Sequence, residues 1–151
     1  MASVASAILA YYCAMGALLI SCSDGRIAAE LTRLQRRVHA EGADRILVPG
    51  GPLVLTATGA ERRVALDCVK SLLDAQNIKQ VLLVSHQDCW AYERALGGLG
   101  FDQQEILARD LRRVRTLLEN QYPGVEVYCY VIPWREDGAG SAAFGEAERV
   151  D

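Results

Sequence analysis

Short apolar runs without a helical period recur along the chain, and stretches with apolar residues at spacings of three and four separate them. Such runs are typical of strands that are buried on both faces of a sheet. They predict four strands, at Ala17–Ile20, Arg45–Val48, Val81–Val84 and Val125–Ile132. Proline follows the second and fourth runs, and it is expected to end both strands.

Three amphipathic stretches predict helices between these strands. The first repeats its apolar residues from Ile27 to Val38 and is expected to stop by Gly42. The other two begin with the spacing of a capping box, in which two side chains bond to each other's backbone N–H groups. These boxes are Thr58–Glu61 and Asp102–Glu105. The helix that begins at Asp102–Glu105 is expected to run to about Asn120.

The alternation of strands and helices predicts an α/β fold in three layers, with a mostly parallel sheet between flanking helices. We expect the strand order 2-1-3-4 plus a last edge strand. Residues 1–135 are predicted to form a single domain. Residues 136–151 are rich in Gly, Ala and Glu and are predicted to form a flexible or partner-docking tail.

The amino-terminal region allows two interpretations. No charged side chain lies between Met1 and Asp24, and Ala7–Ile20 is largely apolar, while Leu19–Cys22 resembles a lipoprotein cleavage box. An export signal should open with Lys or Arg, and a spanning helix needs about 20 apolar residues without such dilution by serine and glycine. The pattern therefore favours a buried first strand and no membrane partner.

Composition and charge narrow the class of protein. The 151-residue chain is 51% hydrophobic and 23% charged, which is typical of a globular domain. Its formal net charge is −3, so no basic surface favours nucleic acid. The odd count of five cysteines in a chain of this size favours a reducing compartment, and we expect a cytoplasmic location.

Two of the predicted strands lead to residues that bind metals. In parallel sheets, ligands gather beyond the carboxyl ends of the strands where the strand order reverses, here between the strands that end near Cys22 and His86. With Cys89, these residues supply two thiolates and an imidazole, which suit Zn²⁺ and leave a fourth position for water or substrate. A single H-x-x-C is common by chance, so the alternative that these residues are two core cysteines and a buried histidine stays open.

Asp24 and Arg26 follow Cys22 at alternate positions and strengthen the zinc hypothesis. A guanidinium can hold a carboxylate ionised and oriented through a bidentate pair. A carboxylate fixed beside zinc can accept a hydrogen bond from zinc-bound water. The alternative is a structural ion pair that caps the loop.

Together the two motifs resemble those of the β-class carbonic anhydrases, which carry C-x-D-x-R and, further along the chain, H-x-x-C. Both stand intact here, as Cys22–Arg26 and His86–Cys89. Ala65–Val69 is similar to the helix segment S-L-E-Y-A of that family, and Ile78–His86 is similar to the strand that leads to its histidine. The resemblance covers roughly residues 15–95, more than half of the chain.

The resemblance implies a zinc lyase and assigns a role to each motif residue. Cys22, His86 and Cys89 would be the zinc ligands, and Asp24 and Arg26 the catalytic dyad. A zinc-bound hydroxide would attack carbon dioxide, a small-molecule substrate, and give bicarbonate reversibly. In some members of the family the aspartate occupies the fourth metal position. The family pairs its subunits, so a homodimer or a higher homo-oligomer is expected.

Two departures from the family pattern keep other functions open. Leu47–Gly51 stands where the family carries R-N-A-G, and Trp90 follows the second zinc cysteine where glycine is common. One alternative is that the same zinc site hydrolyses carbonyl sulfide or carbon disulfide. Another is a zinc-binding, carbonic anhydrase-like module without catalysis.

Several other residues receive simpler interpretations. Apolar surroundings predict that the remaining cysteines are packed thiols, and Trp90 is expected in the core or at an interface. Asp88 is expected to be an exposed loop carboxylate or a helix cap, and His39 a solvated residue. Gly50 and Gly51 form either a plain turn or a close approach of backbone to the metal site. The three packed thiols are Cys13, Cys68 and Cys129.

Overall fold

The computed structural model describes residues 16–97, 103–136 and 138–151, in which strands alternate with one or two helices as far as β4. A short 3₁₀ helix, Gly25–Ile27, precedes α1. The strands are β1 (Gly16–Cys22), β2 (Asp44–Val48), β3 (Ile78–His86), β4 (Glu126–Ile132), β5 (Trp134–Glu136), β6 (Ala142–Phe144) and β7 (Glu148–Val150). The helices are α1 (Ala28–Arg37), α2 (Leu53–Thr56), α3 (Ala60–Ala75), α4 (Trp90–Leu96) and α5 (Gln103–Gln121).

Five strands form the main sheet, in the order β2-β1-β3-β4-β7. The pairs β1–β2, β1–β3 and β3–β4 are parallel, and β7 pairs antiparallel with β4 at the edge. Ile20 of β1 lies beside Ile46 of β2 on one side and Leu83 of β3 on the other. The predicted order 2-1-3-4 plus a last edge strand is confirmed.

The central strands are buried along almost their whole length. Leu19 and Ile20 of β1 and Leu83 of β3 have no exposed surface, as expected for strands that helices cover on both faces. The amphipathic helices bury one side each, with Leu34 of α1 and Leu111 of α5 fully covered. Apolar burial of this kind contributes about 25 cal/mol per Å² removed from water, which favours this single arrangement of layers.

The helix ends differ from the predicted ones. α3 begins after Gly59, whose φ of 91° is accessible mainly to glycine, and no side chain caps this terminus. The capping box Thr58–Glu61 is therefore not formed, because Gly59 takes the N-cap position. Asp102 of the second box lies outside the described residues. α1 ends at Arg37, five residues before Gly42.

The carboxyl-terminal segment is part of the fold. Residues 136–151 were predicted to form a flexible or partner-docking tail, but β6 pairs with β5 and β7 pairs with β4. Glu30, a buried carboxylate of α1, accepts a hydrogen bond from the backbone N–H of Ala147 at 2.9 Å, and Arg37 donates to the carbonyl of Ala147. These contacts join the described part of the segment to the domain, which corrects the prediction of flexibility.

At the amino terminus, residues 1–15 lie outside the described residues, and with them Cys13 and most of the stretch that begins at Ala7. The rest of that stretch, from Gly16 to Ile20, belongs to β1, so the prediction of a buried first strand is confirmed there. Within residues 16–97, 103–136 and 138–151, no helix has both the length and the apolar character needed to cross a bilayer.

The prediction of a packed thiol is confirmed for one of the two described cysteines and wrong for the other. Cys129 is a buried thiol, as predicted, but Cys68 is exposed. Cys68 lies on α3 next to the buried Val69. Adjacent residues of a helix point in different directions, so Cys68 lies on the solvent side while Val69 faces the core. Trp90, which was expected in the core or at an interface, is 53% exposed in this chain and so is not in its core, while a place at an interface stays a prediction.

Candidate metal centre

The ends of β1 and β3 bring the two motifs together. Cys22 is the last residue of β1, His86 is the last residue of β3, and Cys89 immediately precedes α4. β1 and β3 are parallel neighbours, so their carboxyl ends lie at the same edge of the sheet. One ligand atom from each of the three buried residues lies within 4.8 Å of the other two. In the described ranges, no other group of three or more His, Cys, Asp or Glu residues has this geometry.

The three donor atoms fit a tetrahedral zinc ion. The sulfur atoms of Cys22 and Cys89 are 4.0 Å apart, close to the ~3.8 Å expected for two thiolates on one Zn²⁺. Nδ1 of His86 lies 2.7 Å from the carbonyl oxygen of Gln87, which fixes the ring and leaves Nε2 as the free donor atom. Nε2 is buried without a hydrogen-bond partner among the described residues, an arrangement that costs free energy unless a ligand completes it.

The two thiols have different acidities. The hydrogen bond with Cys89 lowers the pKa of Cys22 well below its usual range, and it raises the pKa of Cys89. The backbone N–H of Gly50 donates to the sulfur of Cys22 at 3.3 Å and lowers its pKa further. Cys22 is therefore the thiol that loses its proton first, and a cation bound between the two sulfurs would favour the thiolate of both.

The turn after β2 approaches the end of β1 very closely. Gly50 and Gly51 both have positive φ angles, 75° and 54°. A Cβ at Gly51 would lie 2.6 Å from the backbone nitrogen of Cys22, and the space between the two chains would be too small for it. Of the two interpretations of this pair, the structure favours the close approach of backbone to the strand that ends at Cys22.

Substitution of Gly51 by alanine is expected to destabilise the chain by about 1–3 kcal/mol, because the added methyl group meets the backbone of Cys22 at a strained φ. Denaturant unfolding measures the change in the free energy of unfolding. The matched control is Gly42→Ala, where a Cβ meets nothing within 4 Å, and a change within about 0.5 kcal/mol is expected there. Equal effects in the two variants would contradict the close approach.

Asp24 lies beside the cluster of Cys22, His86 and Cys89 and forms an ion pair with Arg26. Its carboxylate accepts hydrogen bonds from Nη2 of Arg26 at 2.7 Å, from Nε at 3.0 Å and from the backbone N–H of Arg26 at 2.9 Å. These bonds hold the pKa of Asp24 below its usual range, so the carboxylate is ionised at neutral pH. Its Oδ2 is 4.0 Å from Nε2 of His86. Asp24 therefore caps the 3₁₀ helix and also presents an oriented carboxylate to the candidate metal centre, so the two interpretations of the Asp24–Arg26 pair are compatible.

Asp88 is a member of the site that sequence analysis did not identify. Its carboxylate accepts from Nη1 of Arg26 at 2.8 Å, and its carbonyl oxygen accepts from Nη2 at 3.1 Å. The carboxylates of Asp24 and Asp88 raise the pKa of Arg26, which therefore stays charged. The position of Asp88 between His86 and Cys89 was the available signal, because a residue between two candidate ligands of one metal must lie near the site they would share.

Two aromatic residues of the carboxyl-terminal segment also reach the site. The ring of Phe144 packs edge-on against His86, with centroids 5.3 Å apart. The guanidinium carbon of Arg26 lies 5.3 Å from the Phe144 centroid and 5.7 Å from that of Trp134. No feature of the sequence pattern indicates these contacts, since they depend on the path of a segment that carries no motif.

Comparison of sequences finds relatives without an assigned activity. No protein-family model matches the chain. An uncharacterized protein of Rickettsia bellii is 28% identical over 122 residues, covering 76% of this chain and 74% of the relative. An uncharacterized protein of Rickettsia conorii is 29% identical over 125 residues, covering 76% of this chain and 66% of the relative.

Comparison of structures finds similarity to β-carbonic anhydrases. A tetrameric enzyme of this class from Sordaria macrospora superimposes with a TM-score of 0.49 at 14% identity, over 94% of this chain and 86% of its own. One from Aspergillus fumigatus has a TM-score of 0.49 at 13% identity, over 87% and 89%. One from Coccomyxa has a TM-score of 0.49 at 12% identity, over 87% and 72%. These solved structures belong to the class that the paired motifs resemble.

Proposed function

We propose that this chain is a zinc lyase that interconverts carbon dioxide and bicarbonate. The observation that carries the proposal is the convergence of Cys22, His86 and Cys89, whose ligand atoms lie within 4.8 Å of one another. The carboxylate of Asp24 lies beside this cluster and is oriented by Arg26. A structural zinc site fills all four positions with Cys or His, whereas a catalytic site has three protein ligands and leaves the fourth position to water or substrate.

In this proposal Cys22, His86 and Cys89 hold the zinc ion. Bound zinc lowers the pKa of a coordinated water toward neutrality, which supplies a nucleophile near pH 7. The bond between Nδ1 of His86 and the carbonyl of Gln87 fixes the imidazole, and the N–H of Gly50 steadies the Cys22 thiolate. These contacts prepare the site before any substrate arrives.

In this proposal Asp24 orients the reacting water, and Arg26 holds the carboxylate of Asp24 ionised and in position. The ionised carboxylate of Asp24 can accept one hydrogen bond from a water molecule in the fourth position, so that a lone pair faces the substrate carbon. Arg26 keeps the carboxylate deprotonated and prevents its rotation through a bidentate contact, in which Nε donates to Oδ1 and Nη2 donates to Oδ2. Asp88 holds the opposite edge of the guanidinium and limits its movement.

A stopped-flow assay of carbon dioxide hydration tests the proposal. Zinc-loaded protein should accelerate hydration above the buffer rate between about pH 6.5 and 9, a range that brackets the value near 7 for water on zinc. Removal of the metal with a chelator should abolish the acceleration, and added zinc should restore it. Rates equal to the buffer rate at every pH would reject the activity.

Two other hypotheses keep the same metal site, and assays of the same zinc-loaded protein with other substrates distinguish them. Release of sulfide from carbonyl sulfide or carbon disulfide, without hydration of carbon dioxide, would favour the hydrolase that the departures at Leu47–Gly51 and Trp90 leave open. Stoichiometric zinc with no turnover of any of the three substrates would favour a non-catalytic zinc-binding module.

We also propose that the chain forms a homodimer or a higher homo-oligomer in the cytoplasm. Large apolar side chains remain exposed in the described part of the chain, among them Leu47 at 44% and Trp90 at 53%. A contact between two copies would cover such residues, and Trp90 would then lie at an interface. Light scattering that shows a monomer at micromolar concentration would contradict this proposal.

A further inference from the structure

Gln87 follows His86 in the chain and makes hydrogen bonds in three directions. Its carbonyl oxygen lies 2.7 Å from Nδ1 of His86. Its backbone N–H donates to the carbonyl of Ile132 at 2.9 Å, and its side-chain Oε1 accepts from the backbone N–H of Trp134 at 2.8 Å. Ile132 ends β4 and Trp134 begins β5, so one residue joins a candidate metal ligand to the place where the chain leaves the main sheet.

β5 and β6 form a separate two-stranded hairpin beyond this place. Trp134 pairs with Phe144 across the hairpin, and their rings meet edge-on with centroids 4.8 Å apart. The N–H of Gly145 donates to the carbonyl of Pro133 at 2.8 Å and closes the end of the hairpin nearest β4. Because Trp134 and Phe144 are cross-strand partners, the hydrogen bond between Trp134 and Gln87 also fixes the position of Phe144.

Phe144 packs against two residues of the candidate metal centre. Its ring meets the imidazole of His86 edge-on, with centroids 5.3 Å apart and the ring planes at 87°. The guanidinium carbon of Arg26, the partner of Asp24, lies 5.3 Å from the centroid of the same ring. The side chain of His86 is fully covered. A shift of the hairpin would therefore disturb both a candidate ligand and the ion pair beside it.

We propose that Gln87 is a positioning residue of the candidate metal centre, because its side chain anchors the β5–β6 hairpin so that Phe144 packs against His86 and Arg26. The inference rests on the function proposed above for the same site. Gln87 acts through the hairpin and not on the reacting molecules. Residues that orient the ligands of a metal from outside the ligand set commonly contribute 10- to 100-fold to metal affinity. Loss of the anchor is therefore measurable as a loss of zinc affinity.

The zinc affinity of two Gln87 variants tests the anchor. Gln87→Met keeps the length of the side chain and removes the acceptor, so the backbone N–H of Trp134 loses its partner. We expect zinc affinity, measured by competition with a chromophoric chelator, to fall by about tenfold. Gln87→Glu keeps an acceptor oxygen at the same place along the side chain and should retain zinc affinity within about threefold of the unsubstituted protein.

A double-mutant cycle shows whether Gln87 acts through Phe144. Phe144→Ala removes the ring and should weaken zinc binding by about tenfold on its own. The combination of Gln87→Met and Phe144→Ala should also weaken it by about tenfold, because both changes remove the same contact with His86. Two independent effects would multiply to about a hundredfold.

Arg135→Met is the matched control for general damage to the hairpin. Arg135 lies on β5, and its guanidinium bonds to Glu148 at 2.5 Å in an exposed ion pair. Loss of such a pair has a small effect on stability, and zinc affinity should stay within about threefold. NMR of the cobalt-substituted protein gives a second readout, since solvent exchange of the Nδ1–H of His86 should become faster in Gln87→Met and Phe144→Ala but not in Arg135→Met. Thermal melting establishes that each variant is folded.

The outcomes separate this inference from the proposed function. Unchanged zinc affinity in Gln87→Met, an equal loss in Gln87→Glu or Arg135→Met, a multiplied loss in the double variant, or unchanged exchange of the imidazole N–H would overturn the anchor while hydration by the unsubstituted protein stands. The expected pattern in a chain that does not hydrate carbon dioxide would support the anchor and reject the lyase. A chain that binds neither zinc nor cobalt at the candidate centre would overturn both.

Discussion

Substitution of Cys89 by serine is expected to weaken zinc binding by about 100-fold or more and to abolish hydration. A zinc site contributes roughly 10–16 kcal/mol through all its ligands, so the loss of one thiolate removes several kcal/mol. The serine hydroxyl is far less acidic than a thiol and is a poor ligand for this ion. Competition with a chromophoric zinc chelator measures the affinity, and elemental analysis measures the zinc content after dialysis.

Cys129→Ser is the matched control for this substitution. Cys129 is also a buried thiol, but it lies on β4 and its sulfur contacts the carbonyl oxygen of Leu111 at 3.6 Å, away from the metal-binding residues. Burial raises the pKa of Cys129 to about 11, and Cys129 is not part of the cluster of Cys22, His86 and Cys89. This variant should retain one zinc per chain. Equal zinc loss in the two variants would show that the effect of Cys89→Ser arises from general destabilisation.

Substitution of Asp24 by asparagine is expected to lower the rate constant of hydration by about 10²–10⁴-fold while zinc stays bound, a range typical of general acid–base groups. The amide keeps the volume of the side chain but loses the charge, and its nitrogen cannot accept from Arg26. The water in the fourth position would then lose the acceptor that orients it. Stopped-flow hydration gives the rate, and elemental analysis of the same sample gives the metal content.

Asp88→Asn is the matched control for Asp24→Asn, because it also removes a carboxylate charge that contacts Arg26. Asp88 contacts Arg26 from the other side, at 2.8 Å, and its side chain is 39% exposed. An asparagine oxygen there can still accept from the guanidinium, so the decrease in rate should stay below about tenfold. If Asp24→Asn and Asp88→Asn reduced the rate to the same extent, the direct role of Asp24 at the reacting water would be contradicted.

The sheet was predictable because its strands carry the strongest local signal. Runs such as Ala17–Ile20 and Val81–Val84 are apolar without interruption, a composition typical of short strands that are covered on both faces. The alternation with amphipathic helices then implies parallel pairing and places the ends of β1 and β3 side by side. Placement of the motifs at those ends followed from topology rather than from any contact visible in the sequence.

The carboxyl-terminal segment was not predictable from the same signals. β6 and β7 have three residues each, too few to show a period. Their positions depend on pairing with β5 and β4 and on the contact of Glu30 with the backbone of Ala147, which is 117 residues away. Tertiary contacts between distant residues, and not local preference, place Phe144 against His86.

The exposure of Cys68 and the contact of Asp88 with Arg26 were also not predictable from neighbouring residues in the sequence. Apolar neighbours in the sequence suggested that Cys68 is packed, but on a helix the neighbours that matter are three and four residues away. Asp88 was expected to be a loop carboxylate or a cap, and its φ of 54° turns the chain so that it meets Arg26 from the other motif. A positive φ at a residue other than glycine is not predictable from the residue type alone.

X-ray absorption spectroscopy at the zinc edge tests the central claim most directly. The account predicts one zinc per chain with two sulfur ligands at about 2.3 Å, one nitrogen ligand at about 2.0 Å and one further light-atom ligand. Cys89→Ser should remove one sulfur from the shell of whatever zinc remains. A chain that binds no zinc, or whose zinc has a coordination shell without two sulfurs and a histidine nitrogen, would contradict the account.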